Sequence, residues 1–320
     1  MTGHPEFEIV TRTVPTAYFF GVTTERSLSR RMFPLWAAIL GLGNAQLVGV
    51  DLPVNGPPEV YRKAVHQIKR DPLSLGAVVT THKINTLDAA RDLFDDLTPE
   101  AQLTQEVASI YKRDGRLIGH AVDPITSGLS MQQFIPRGYW NRTRAHVLCL
   151  GAGGSAAAIT VYLARTLPPH DRPARVIYVN RSKFRLDRLQ KLIDQNMPDS
   201  GITFDFVENN NSTVNDQLMN RLPPRSLVIN ATGMGKDTPG SPITDAGVFP
   251  EDGLAWELNY RGELDFLHQA RRQAESRGLT VVDGWYYFLL GWSMIIGQIF
   301  DVAITPALFD QLAQAAGQIR

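Results

Sequence analysis

The stretch HVLCLGAGGSAAAITVYLART, residues 146–166, sets an apolar run, a glycine-rich turn and a helix-compatible segment in that order. A glycine-rich turn alone is a weak signal, but directly after a strand and at the start of a helix it points to a dinucleotide-binding unit. Gly151, Gly153 and Ala156 hold the three small positions: the tight turn, the close approach of backbone to pyrophosphate, and the close contact of helix with strand. Gly151, Ala152, Gly153, Gly154 and Ser155 are therefore the expected phosphate cradle. There the amino end of the following helix offers unpaired N–H groups and a partial positive charge.

The next apolar run, ending in NRSKFR, decides which nucleotide is expected. An NAD site usually closes this strand with Asp or Glu, which accepts from the ribose 2′-hydroxyl. Here Asn180, Arg181 and Ser182 stand at that end, with Lys183 and Arg185 close behind. Arginine makes two charge-assisted bonds to a phosphate and stacks on an adenine plane. The expected cofactor is NADP, held by Asn180, Arg181, Ser182 and Arg185. The competing reading is a solvated basic helix start, in which these cations oppose the helix dipole without return.

Working outward, strands are expected at 145–150, 175–179, 202–207, 226–230, 254–258 and 280–282, which makes five or six parallel strands. The segment Glu208–Asp216, with Asn209, Asn210 and Asn211, reads as a polar loop. Upstream, the apolar runs AYFFGV (17–22), AQLVGV (45–50) and LGAVVT (75–80) alternate with helix-compatible segments over 29–42, 57–70 and 84–94, the pattern of a buried parallel sheet. The fold class is α/β with two domains: an N-terminal α/β domain over residues 1–125 and a Rossmann-type doubly wound domain over 126–284. The helices of 285–320 are expected to pack back on the first, and the cleft between the domains is the expected site.

A chain of 320 residues can bury two cores. Lysine plus arginine equals aspartate plus glutamate at 32 each, so no global field attracts nucleic acid. The single cysteine, Cys149, lies in an apolar run and reads as a structural thiol; disulfides and a cysteine-based metal site are excluded, and no metal is expected. The opening MTGHPEFEIVTR lacks the basic and apolar blocks of a signal peptide. The apolar stretch Tyr286–Ile304 is interrupted by Gly291, Gly297 and Asp301, which suits a packed helix better than a membrane span. A cytoplasmic chain with no membrane partner is expected.

On these motifs the sequence resembles the shikimate and quinate dehydrogenase family. Gly151–Ala156 and Asn180–Ser182 match its GAGGAA and NRT patterns, and Asn230-Ala231-Thr232-Gly233-Met234-Gly235 resembles its NAT-x-GM turn. The resemblance implies that Thr232, Gly233 and Met234 lie against the nicotinamide side of NADP. Ser27-Leu28-Ser29 resembles the SxS motif, which implies that Ser27 and Ser29 bind a substrate carboxylate. Ala77–Lys83 resembles NVTxPxK, and Asp123 aligns with the aspartate of GxNTD, which implies Lys83 and Asp123 as the catalytic pair. Ser109 and Tyr260 fall where the family binds substrate. The first domain would then bind a small carboxylate substrate and the second NADP, with a homodimer left open.

The departures concern the substrate. The Asn and Thr of NVT are Ala77 and Val79, the Asn and Thr before the aspartate are Ala121 and Val122, and a late glutamine aligns with Gly291. Losing groups that bond substrate hydroxyls weakens recognition by large factors. A carboxylate-bearing cyclic alcohol or ketone, related to shikimate or quinate but less hydroxyl-dependent, is therefore expected. An ordinary shikimate or quinate dehydrogenase and a non-catalytic sensor are the alternatives. In the first reading Lys83 serves chiefly to polarise and protonate a carbonyl while Asp123 holds it; a surface ion pair is the bland reading. His82 is the weaker candidate acid. Tyr260 is open between a substrate contact and packing, and Trp285, Tyr286, Tyr287 and Phe288 between a cleft wall and core.

Overall fold

The computed structural model describes residues 8–236 and 238–320; Met1–Phe7, part of the segment read against a signal peptide, lies outside the described residues. Two compact units emerge, one running to Val122 and joined by Leu289–Arg320, the other spanning Asp123–Phe288. In chain order the first contains β1 (Thr16–Gly21), α1 (Leu28–Ile39), β2 (Gln46–Asp51), α2 (Pro58–Arg70), β3 (Ser74–Val79), α3 (Lys83–Ala90), β4 (Asp96–Leu97), α4 (Pro99–Thr104), β5 (Ser109–Arg113) and β6 (Arg116–His120). The second contains α5 (Asp123–Met131), α6 (Tyr139–Thr143), β7 (His146–Leu150), α7 (Gly154–Val161), β8 (Arg175–Asn180), α8 (Lys183–Asn196), β9 (Thr203–Glu208), α9 (Ser212–Met219), β10 (Leu227–Asn230), β11 (Leu254–Glu257), α10 (Asp265–Arg277) and β12 (Thr280–Val282). Helices α11 (Trp285–Phe300) and α12 (Pro306–Gly317) close the chain.

The sheet of the second unit has six strands in the order β12-β11-β10-β7-β8-β9, every neighbouring pair parallel. This is the doubly wound order in which the first strand of the unit, β7, sits at the centre and the winding reverses between β7 and β10. Strands buried on both faces read as continuous apolar runs rather than alternations. Accordingly β10 and β11 are buried along their whole length, and β7 at all but its first residue.

In the first sheet the three strands expected to be parallel are so, but further strands make the sheet mixed. Its order is β2-β1-β3-β5-β6-β4; β1 pairs β2 and β3 in parallel, but β5 runs antiparallel to both β3 and β6. The cause is the hairpin turn Asp114–Gly115, both residues at positive φ (51° and 75°), which brings the chain straight back beside itself. The core beneath gathers Tyr18, Phe20, Val50, Tyr61, Val65 and Ile68. Within this unit the Trp36 Nε1 donates to the Leu312 carbonyl at 2.9 Å, tying α1 to α12.

A second correction concerns the asparagine run. Helix α9 begins at Ser212, inside the stretch expected to be loop. The Asn211 side chain accepts from the Thr213 N–H at 3.0 Å, satisfying a first-turn donor, and Asn209 Nδ2 donates to Asn215 Oδ1 at 2.7 Å. No helix among the described residues is long and apolar enough to cross a membrane.

Candidate functional site

In the second unit the glycine turn lies at the carboxyl end of β7, beside the carboxyl end of β10, where open parallel sheets bind their ligands. The Gly151 N–H donates to the Val179 carbonyl at 2.8 Å and Ala231 N–H to the Leu150 carbonyl at 2.8 Å, so the turns after β7 and β10 are held side by side. Gly151 has φ 123°, and a Cβ there would stand 2.5 Å from the Ala231 carbonyl oxygen. Both conformation and space therefore demand glycine. Ala152 and Ala156 are buried, while Gly153, Gly154 and Ser155 are half-buried at the start of α7.

The basic group is only partly gathered. A Cβ built on Gly153 would have Arg185 Nη1 as its neighbour at 4.0 Å, so Arg185 reaches back from α8 to the glycine turn. Asn180 Oδ1 accepts from the Ser182 N–H at 3.4 Å, shaping the end of β8. Arg181 is exposed there. Lys183 is drawn away by Asp187 at 2.7 Å along the helix.

The turn after β10 is fixed by a buried polar network that sequence reading missed. Asn230 Oδ1 accepts from Thr232 N–H (3.1 Å) and Thr232 Oγ1 (2.6 Å), and the Thr232 hydroxyl accepts from Met234 N–H (3.2 Å). Asn259 Nδ2 donates to the carbonyls of Thr232 and Met234, both at 3.1 Å. Beneath them lies Glu257, the last residue of β11 and fully buried. Its Oε2 accepts from Asn230 Nδ2 (2.7 Å); its Oε1 accepts from Asn259 N–H (2.8 Å) and Asn259 Nδ2 (2.7 Å). Burial outweighs these three donors and pushes the carboxyl pKa up to about 7. The signal was a lone glutamate in the otherwise apolar LAWEL. Gly233 is exposed and Thr232 and Met234 are half-buried.

Tyr260, directly after the network's Asn259, stacks on Phe288 with ring centroids 3.9 Å apart and 19° between planes, with Trp285 at 6.2 Å. These half-buried rings pack Tyr260 into an aromatic group. Asp123 opens α5 and is 8% exposed.

In the first unit Ser27 and Ser29 are brought together: their hydroxyls lie 2.7 Å apart and Ser27 Oγ accepts from Ser29 N–H at 3.3 Å, capping α1. The preceding turn is anchored by Thr24, whose N–H and hydroxyl both donate to Asp51 Oδ1. Lys83 is the first residue of α3 and half-buried, its carbonyl accepting from Val107 N–H at 3.2 Å. The strand that follows carries Ser109, fully buried, whose hydroxyl has no hydrogen-bond partner among the described residues. His82 is also buried, its ring 5.5 Å from that of Tyr61. Burial pushes its pKa down, against hydrogen bonds to the backbone of Gly21 and Leu52. Ala77, Val79 and Ala121 belong to the core cluster, and Val122 is fully buried, whereas a Cβ on Gly291 would meet open space.

No protein-family model matches the chain. A curated shikimate dehydrogenase (NADP(+)) of Streptococcus thermophilus is 31% identical over 184 residues, which cover 56% of this chain and 58% of that protein. Another, of Symbiobacterium thermophilum, is 29% identical over 238 residues, 71% of each chain. Among solved structures, a shikimate dehydrogenase in complex with NADP+ superposes with TM-score 0.71 at 19% identity, covering 97% of both chains. A ligand-free 5-ketofructose reductase of a Gluconobacter strain gives TM-score 0.66 at 20% identity, covering 97% of this chain and 99% of that one. At such identities the superpositions speak for the fold alone, while the sequence matches make the chain similar to curated shikimate dehydrogenases.

Proposed function

We infer that this chain is an NADP-dependent oxidoreductase acting on a carboxylate-bearing cyclic alcohol or ketone related to shikimate or quinate, but recognised with fewer hydroxyl contacts. The observation that carries the reading is the glycine cradle at the β7/β10 reversal with Arg185 over it and no carboxylate at the end of β8. When bound there, the dinucleotide supplies the hydride. Gly151–Ser155 hold its pyrophosphate, Asn180, Arg181, Ser182 and Arg185 its 2′-phosphate, and Thr232–Met234 its nicotinamide half. Ser27 and Ser29 receive the substrate carboxylate, and Lys83 and Asp123 serve proton transfer at the reacting oxygen.

The orphaned Ser109 hydroxyl supports a polar ligand contact, since a buried hydroxyl without a partner is costly in a finished core. The apolar residues at 77, 79, 121 and 122 and the open space at Gly291 support an altered substrate. That part of the reading is tested by rates on shikimate and quinate with NADP and NAD. Slow turnover of both acids, NADP-linked, is expected; robust shikimate turnover assigns an ordinary shikimate dehydrogenase instead. The 5-ketofructose reductase likeness makes ketoses a sensible second panel.

The cofactor choice has its own check. Arg181→Ala is expected to weaken NADP binding by roughly 1–3 kcal/mol and NAD binding little, because a charge-assisted bond to the 2′-phosphate is lost. Equal losses for both nucleotides in a binding titration would remove Arg181 from the phosphate site.

A further inference from the structure

Backbone bonds from Lys236 and Thr238 N–H to the Gly233 carbonyl close the turn Thr232–Met234, and the two asparagine side chains that brace it both reach one carboxylate. Asn230 and Asn259 each use one end of the amide on the turn and the other on Glu257, or share the same amino group between them. We propose that Glu257 is a positioning residue: through Asn230 and Asn259 its carboxylate holds the Thr232–Met234 turn in the shape that receives the nicotinamide half of the dinucleotide, and only while ionised. This rests on the cofactor reading given above.

The argument is one of donor and acceptor count. An ionised carboxylate only accepts, and Glu257 meets three N–H donors, one on Oε2 and two on Oε1. A proton on Oε2 faces Asn230 Nδ2, and a proton on Oε1 faces Asn259. Turning either amide over relieves that clash, but it breaks the turn. Asn230 would present Nδ2 to the Thr232 N–H and hydroxyl that its Oδ1 now serves; Asn259 would present Oδ1 to the carbonyls of Thr232 and Met234. With its proton toward Asn230 or Asn259, a neutral Glu257 and the turn cannot both be satisfied.

The setting makes this proton labile near neutrality. Burial raises the carboxyl to about 7, and Lys236, on the same turn, acts the other way by favouring the charge. The neighbouring strands add no titratable group: β10 is Leu-Val-Ile-Asn and β12 Thr-Val-Val. On α10, packed against β11, Phe266, Leu267 and Ala270 are buried, whereas Asp265 is half-buried and His268 exposed. Asp283, after β12, is half-buried and accepts from Trp285 N–H. Since the folded-state value is raised, the ionised form is complete only above about pH 7 and is lost as pH falls through it.

The test is the NADPH dissociation constant between pH 5.5 and 8.5, read by fluorescence, for the full chain, Glu257→Gln and Glu257→Asp, with circular dichroism confirming the fold. The unmodified chain is expected to lose affinity below the midpoint by up to about tenfold per pH unit, the limit for one linked proton. Glu257→Gln carries a fixed donor where the proton would sit, so it should bind at pH 8 as weakly as the unmodified chain does under acid conditions. Glu257→Asp should keep the dependence with a displaced midpoint. The 2′-phosphate titrates by itself at about pH 6; it is common to all three proteins, so their difference isolates residue 257. Unchanged affinity and pH profile in Glu257→Gln, or, should that variant misfold, an unmoved midpoint in Glu257→Asp, overturns the proposal while leaving the cofactor reading intact. Failure of the unmodified chain to bind NADPH at any pH overturns both.

Discussion

Lys83→Ala is expected to lower turnover of the best alcohol or ketone substrate by about 10²–10⁴-fold, the usual share of a positioned proton donor or acceptor. The reason lies in how the first unit holds this residue. Lys83 starts α3, its carbonyl pinned by Val107 N–H, while the preceding His82 is sunk into the core against Tyr61. The backbone on both sides is therefore fixed, and the half-buried side chain leaves from a defined point. His82 is 2% exposed, and burial pushes its imidazole toward the neutral form. Steady-state rates on the variant, with its fold confirmed, decide the matter. Wild-type kcat in Lys83→Ala would mean that the proton travels through another group and that the assignment of Lys83 is wrong.

Gly151→Ala is the second large effect, and it strikes binding and stability together. A methyl group at this position would approach the Ala231 carbonyl oxygen to 2.5 Å and its carbon to 2.8 Å, both backbone atoms that cannot swing aside. The φ of 123° is hostile to any L side chain as well. Strained backbone costs about 1–3 kcal/mol, and overpacking about the same again. Relief requires β7 and β10 to part at their carboxyl ends, which spreads the dinucleotide cradle. A urea midpoint well below that of the parent chain and loss of NADPH binding are the expected results. A variant that melts and binds normally would show that the two turns are not in close approach.

The second unit was legible from sequence because its central strands β7, β10 and β11 are short apolar runs buried on both faces, and six strands in succession with helices between them leave one architecture. The first unit was half legible. Strands β1, β2 and β3 follow the same rule, but β5 and β6 are edgeward and amphipathic, ending in Tyr-Lys-Arg and beginning at Arg116, so they carry no such run. The Asp-Gly pair between them was the available signal, since it is the dipeptide a tight hairpin prefers. Helix α9 hid behind asparagines that mark turns in general and cap a helix here. At the site, the glycine turn and the serine pair were visible because their chemistry resides in contiguous residues. The Glu257 network was not, since its members come from two strand ends 27 residues apart in the chain and meet only once the sheet has formed.

Cys149 lies on β7 with no exposed surface, its thiol lifted to about 12 by burial and donating to the Gly151 carbonyl at 3.5 Å. It is the sole sulfhydryl of the chain. Alkylation of the native protein therefore has to wait for the sheet around the glycine turn to open, and its rate is a clock for that event alone, silent about the first unit. Timed with and without a nucleotide, the same clock converts occupancy of the cradle into a measured free energy of opening, with no catalytic assay and no knowledge of the substrate.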